Sequence, residues 1–240
     1  MNTLRNILTL VIIVLTFPLY GQENSCDTVF IQKDSLLGTA QSIYFDSNRN
    51  SKFYDRINYW EFNEYDSVSY KNSTDYFKEN NLILTKRTPI IPITKWVILK
   101  QYKGKYYVYR PCDGLFHFKA SINDTTYIDW TGEGPDANKI IKQKKINNKI
   151  YKFKLTNIYN KDRVIKIHII DRNKGIAVFT EKNRGAERKR YLMIASDKIK
   201  SVPIIVNNCE TYKQVELRFD TDRPPIELRI IIEDELIIKK

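Results

Sequence analysis

The stretch IYKFKLTNIYNKDRVIKIHIIDRNKGIAVF, residues 150–179, decides the fold. Tyr151, Phe153 and Leu155 are apolar while the intervening Lys152 and Lys154 are charged, and Ile165, Ile167 and Ile169 repeat the pattern against Lys166 and His168. Side chains of a strand point alternately to opposite faces, so this two-residue period describes strands with one face in a core and one in water. Burying each large apolar side chain is worth roughly 1.5–3 kcal/mol, enough to fix which face turns inward. Residues 173–175 separate 164–170 from 176–179 and supply a turn.

The same grammar extends in both directions. Lys103-Gly104 divides 97–102 from 106–110, Asn123-Asp124 divides 116–122 from 127–130, and Asn147-Asn148 divides 140–146 from 150–155. Dipeptides such as Asn-Asn suit the positive backbone angles of tight hairpins. Val215, Leu217 and Phe219 alternate with Gln214, Glu216 and Arg218, and after a turn at 220–225 Ile226, Leu228, Ile230 and Ile232 predict a last hairpin. A short helical turn over 196–201, capped by Ser196, and a restart at Pro203 complete this half. The expected class is all-β with few short helices, an antiparallel meander closing into a barrel or sandwich.

Upstream the signals are weaker. Residues 28–31 read as a short strand, and Leu36, Leu37, Ala40, Ile43 and Tyr44 recur at helical spacing after Asp34 or Ser35, which predicts a helix there. Residues 46–81, rich in Asn, Ser, Asp and Tyr, read as long loops with one or two strands, and 82–84 as β-like. Pro89 and Pro92 rule out a central strand and mark a boundary. The expected organisation is a leader at 1–21, a mixed region at 22–95 packing on the main domain, and a β-meander domain at 96–240.

The first residues carry one charge, Arg5, then an apolar run over 7–17 broken only by Thr9 and Thr16. About 11 apolar residues are too few to span a bilayer, so the run reads as a secretory signal peptide. Cleavage is expected after Gly21, leaving Gln22 first, with no transmembrane span thereafter. Export to the periplasm or the extracellular space follows. A lipid anchor is not expected, because Cys26 follows Glu23, Asn24 and Ser25.

Among 240 residues are three cysteines, Cys26, Cys112 and Cys209, too far apart for a zinc site but suited to one disulfide in an oxidising compartment. Cys112 could instead act as a nucleophile with His117 as base. A bond to Cys26 or to Cys209 is the expectation. Removing Arg5 with the leader lowers the formal charge of +12 by one, to +11. That excess would favour an anionic surface as partner, yet the lysines are scattered among strands, and no nucleic acid is expected.

Chemistry-bearing residues are few. His117 and His168 fall on the polar faces of their strands, either as a pair of bases or ligands on neighbouring strands or as solvated residues. The segment 129–136 carries Asp129, Glu133 and Asp136 in a basic protein, which invites a glycosidase-type carboxylate pair or a calcium loop, although its spacing matches no EF-hand. Trp96, Tyr106, Tyr107, Tyr109 and Trp130 offer a stacking surface for a ligand or a packing set for strands. No nucleophile elbow, P-loop, dinucleotide fingerprint or zinc-protease motif occurs, and no metal or cofactor is expected.

The segment 96–130, with its tyrosine-rich hairpin and Pro111-Cys112-Asp113 turn, together with Tyr20-Gly21-Gln22, resembles secreted β-rich proteins of Bacteroidetes-type bacteria whose roles are not known. The resemblance spans about half the chain, implies an envelope location and brings no active site. The function expected is a binding or envelope-associated module, the alternative being a secreted polysaccharide hydrolase using the 129–136 carboxylates.

Overall fold

The computed structural model describes residues 29–36, 39–114, 118–209 and 216–220. Among these residues twelve strands form one sheet: β1 Val29–Leu36, β2 Thr39–Asp46, β3 Lys95–Tyr102, β4 Lys105–Arg110, β5 Lys119–Ile122, β6 Thr126–Thr131, β7 Gly134–Lys145, β8 Ile150–Thr156, β9 Arg163–Asp171, β10 Ile176–Asn183, β11 Lys189–Ala195 and β12 Ile204–Cys209. Eight of them close into an antiparallel barrel in the order β3-β11-β10-β9-β8-β7-β6-β5, with β5 returning to β3. The all-β barrel that alternation predicts is therefore present.

β3 serves two neighbours along one edge. Its first residues, Lys95 to Val97, pair with β5 and shut the barrel, while Leu99 to Tyr102 pair with β4 and lead out of it. Beyond β4 the sheet continues as an arm, through a parallel pairing to β12 and antiparallel pairings to β2 and β1. Strands from both sides of residue 95 thus share one sheet. A disulfide joins Cys112, just after β4, to Cys209 at the end of β12, with 5.6 Å between their α-carbons. Cys26 lies outside the described residues, as do the leader and most of the predicted last hairpin.

Alternation assigns three cores. Trp96, Tyr127, Phe153, Leu155, Ile165, Ile167, Ile169, Phe179 and Met193 fill the barrel, joined by Ile91. Eight strands leave an interior that side chains can fill. Val97, Leu99, Val178 and Leu192 point the other way, into a second core under the first helix. Ile43, Tyr107, Tyr109 and Ile205 form a third on the arm.

Several local expectations are overturned. The segment expected to be a helix after Asp34 is the β1–β2 hairpin: β2 pairs with β12 over six residue pairs, and that pairing outweighs helical spacing. The expected long loops at 46–81 hold two helices, α1 Lys52–Ile57 and α2 Glu64–Glu79. Residues 82–84 form no strand, and Ile83 stands exposed. The 3-10 turn Ser196–Ser201 exists, but Ser196 does not cap it; Ala195 precedes it, and the Ser196 hydroxyl donates to Asn58 Oδ1. Only Lys103-Gly104, with φ of 48° and 76°, makes the expected turn with two positive angles. Asn147 and Asn148 do not; there Asn147 Oδ1 accepts from the Lys149 and Ile150 amides, a side-chain-built turn.

Among the described residues no helix is long and apolar enough to cross a membrane.

Candidate functional site at the barrel mouth

At one end of the barrel the inward stripes change from apolar to polar. Tyr127 is followed on its face by Asp129, Ile140 is preceded by Asn138 and Asp136, Leu155 is followed by Asn157, Ile165 is preceded by Arg163, and Phe179 is followed by Glu181 and Asn183. Register brings these ends level: Asp129 opposes Asp136, and Arg163 opposes Asn183. The result is a polar mouth above an apolar barrel.

Arg163 organises the mouth. Its guanidinium donates to Asp129 through both terminal nitrogens, Nη2 to Oδ1 at 3.1 Å, and to Glu181 from Nε at 2.9 Å and Nη2 at 3.1 Å. It also donates to Asn138 Oδ1 at 3.0 Å and lies over the Tyr127 ring. Such forked, charge-assisted bonds are the strong ones. Burial opposes the charge on Arg163, but Asp129 and Glu181 outweigh it, and its pKa stands above the ordinary arginine value. Asn138 Nδ2 donates to Asp129 at 2.9 Å, and Asn157 Nδ2 donates both to Asn138 Oδ1 and to Asp136 Oδ2 at 3.0 Å.

Asp136 differs from its neighbours in that, among the described residues, both its side-chain donors are neutral, Asn157 and the Ser73 hydroxyl at 2.9 Å. Burial, with a contribution from Asp129, raises its pKa above the usual carboxylate value against these donors and Arg163. Ser73 belongs to α2, which lies along β7. An Asn63–Asp66 capping box starts this helix, and Ser69 donates to the Pro135 carbonyl. The approach is close at Gly134, whose φ is +96° and where a β-carbon would sit 3.0 Å from Ser69. Glycine is needed there both for the angle and for the space.

Together these elements enclose a half-open cleft of about 570 Å³, lined on its floor by Asp129, Asp136, Asn157, Arg163, Glu181 and Asn183. Ser69, Asn72 and Ser73 of α2 form one wall. The rim carries the exposed Ile158 and Tyr159, the exposed Glu133 and the exposed Lys189. That volume lies in the range of small-molecule sites. Beneath the floor, burial raises the pKa of Tyr127 and Tyr191, so both phenols stay neutral.

The residues singled out from sequence are placed as follows. Asp129, Glu133 and Asp136 all line the cleft, but 129–136 is not an open loop: it is a hairpin whose two aspartates face inward. Asp129 is only 7 % exposed, so the solvated turn is corrected to a buried cluster. The aromatic set does not share a surface. Trp96 is buried inside the barrel, Tyr107 and Tyr109 pack in the third core, Tyr106 lies against the second, and Trp130 sits on the outer wall. There the buried Lys119 ammonium lies against the rings of both Trp130 and Trp60, at 4.9 and 4.6 Å, the two indoles being packed edge to face. Lys119 Nζ donates to the Tyr59 carbonyl, and burial lowers its pKa to about 8. His168 is on the outer face, as its parity requires, but buried rather than solvated, and it does not line the cleft. His117 lies outside the described residues. Among the described residues no group of three His, Cys, Asp or Glu side chains is placed to hold a metal ion.

Sequence reasoning missed Arg163, Asn138, Asn157, Glu181 and Ser73. The first four were marked by parity: each is a polar residue on the apolar face of its stripe. Ser73 was marked by the Asn63-x-x-Asp66 helix start.

The class this architecture defines is an eight-stranded antiparallel barrel with a side-chain-filled interior and a polar mouth under a helix. No family model, curated protein or solved structure matches the chain.

Proposed function

We propose that the chain is an exported binding module whose barrel mouth takes a small polar ligand. The observation that carries this reading is the cleft itself: below it the barrel is lined by buried apolar side chains, yet at one end buried polar side chains are held by one another around an open volume. A rigid floor of fixed donors and acceptors loses little entropy when a ligand arrives. The apolar leader and the Cys112–Cys209 bond support residence in an oxidising, extracytoplasmic compartment. A secreted module held at an envelope by its positive charge is consistent with the same features.

The hydrolase reading draws support from one observation. Asp129 and Asp136 are cross-strand neighbours in the cleft, and the raised pKa of Asp136 suits a general acid. Against it, Asp129 is clamped by Arg163 and Asn138 and lacks freedom to act as nucleophile or base. Binding is the better reading.

The test is a small-molecule screen by amide chemical-shift mapping. Binding at the mouth predicts shifts confined to residues 129–136, 157–160 and 181–189, and their loss in Asn160→Trp, which fills the entrance. Shifts scattered over the arm instead would refute it.

A further inference from the structure

The mouth is charge-imbalanced. Three carboxylates, Asp129, Asp136 and Glu181, share its floor with one cation, Arg163, a formal excess of two negative charges. At the rim the exposed Glu133 and Lys189 offset each other. Arg163 is bonded to Asp129 and Glu181, and among the described residues Asp136 has no basic hydrogen-bond partner, only Ser73 and Asn157. Side chains of Arg163, Asp129 and Glu181 are 6, 10 and 13 % exposed, so water screens this excess poorly. It stands out in a chain whose formal charge is +12.

The unmet hydrogen-bonding capacity has the same sign. Asn183 Nδ2 donates to Glu181, and since a carboxylate can only accept, the amide assignment is fixed and Oδ1 is the atom that does not bond Glu181. That oxygen is buried and has no partner in the structure. Ionised Asp136 and Glu181 also keep acceptor sites beyond the bonds they make. A ligand suited to this floor brings N–H donors and positive charge. Above the floor, Ile158 and the ring of Tyr159, 77 % exposed, offer apolar contact and a face for a cation. A metal ion is the poorer fit, because the carboxylates do not converge as ligands.

Resting on the reading of the mouth as a binding site, we propose that its ligand is a small organic cation, an amine whose ammonium pairs with the Asp136 carboxylate in the negative field of Glu181 and Asp129 while its carbon frame lies along Ile158 and Tyr159. Binding supplies the positive charge that the floor lacks and donors for the spare acceptor sites of Asp136 and Glu181. It needs no covalent step.

The probes are 1,4-diaminobutane and 1,4-butanediol, equal in length and differing in charge, with glucose as a bulkier hydroxyl compound, titrated against the full chain by calorimetry and shift mapping. The diamine is expected to bind at the mouth at least about tenfold more tightly than the diol. Asp136→Asn should weaken it about tenfold, and the milder rim change Glu133→Gln by about twofold to threefold; the latter does not touch the buried network. Raising salt should weaken the diamine alone. If the diol or glucose binds as tightly as the diamine, or if both variants bind the diamine as tightly as the unaltered chain, the amine class is overturned while the mouth stands as a site. If none of the three shifts the mouth and a broad neutral screen also leaves it silent, the binding reading falls too.

Discussion

Arg163 on β9 reaches across the barrel mouth to Asp129 on β6, although two whole strands separate them in the sheet. Because the guanidinium spans the lumen, the mouth is braced from wall to wall rather than along one hairpin. The brace shapes the site and creates its liability: a buried charge left alone is far more costly than a pair never made.

Arg163→Gln is therefore expected to lower stability by about 3–5 kcal/mol, since Asp129 and Glu181 would stay buried without their cation. Urea denaturation measures it. Adding Asp129→Asn should recover part of the loss, and a double variant no better than the sum of the two single ones would show that the brace is unimportant.

Gly134→Ala should destabilise by roughly 1–2 kcal/mol. It places a β-carbon at a φ of +96° and 3.0 Å from Ser69, so both the β6–β7 turn and the seat of α2 suffer. The thermal midpoint should fall by several degrees, whereas Gly185→Ala, at a φ of +76° but with open space around it, should cost less.

Lys119 gives a pH signature. Its native pKa, near 8, lies below the value of 10.5 for an exposed lysine. Between those values the unfolded chain holds more protons than the native one, so stability rises with pH through that window and the burial cost is fully present below pH 8. The clean range is about pH 8 to 10, before tyrosines ionise. Lys119→Met should abolish this rise, and denaturation curves at several pH values would reveal a rise that persists.

Reducing the Cys112–Cys209 bond should lower stability by roughly 2–4 kcal/mol, because it closes a 97-residue span in the unfolded chain. The arm should loosen first, as the bond ties β4 to β12, which pair over only three residues. Hydrogen exchange with and without reductant would show protection lost in β2, β4 and β12 before the barrel. Uniform loss would contradict this order.

The hairpins from β3 to β10 were legible because alternation of apolar and polar residues is written locally, as in Tyr151, Phe153 and Leu155 against Lys152 and Lys154. The β1–β2 hairpin was not. Its residues also satisfy helical spacing, and what selects the strand is β12, some 160 residues away. α2 was hidden because its buried residues are only Ser73 and Phe77, and the half-buried Ser69 that packs beside them is, like Ser73, small and polar. Of the mouth, the three acids were visible as a cluster, but their burial and their clamp were not.

By itself the sequence determined that side chains alternate, that strands follow strands, and that polar residues end the apolar stripes at Asp129, Arg163 and Glu181. Only the tertiary structure decided that those ends lie level, because ring closure between β3 and β5 sets the register of every strand relative to strands it never touches. Alternation is a property of neighbours along the chain. A site shared by five strands and a helix is a property of how the sheet closes.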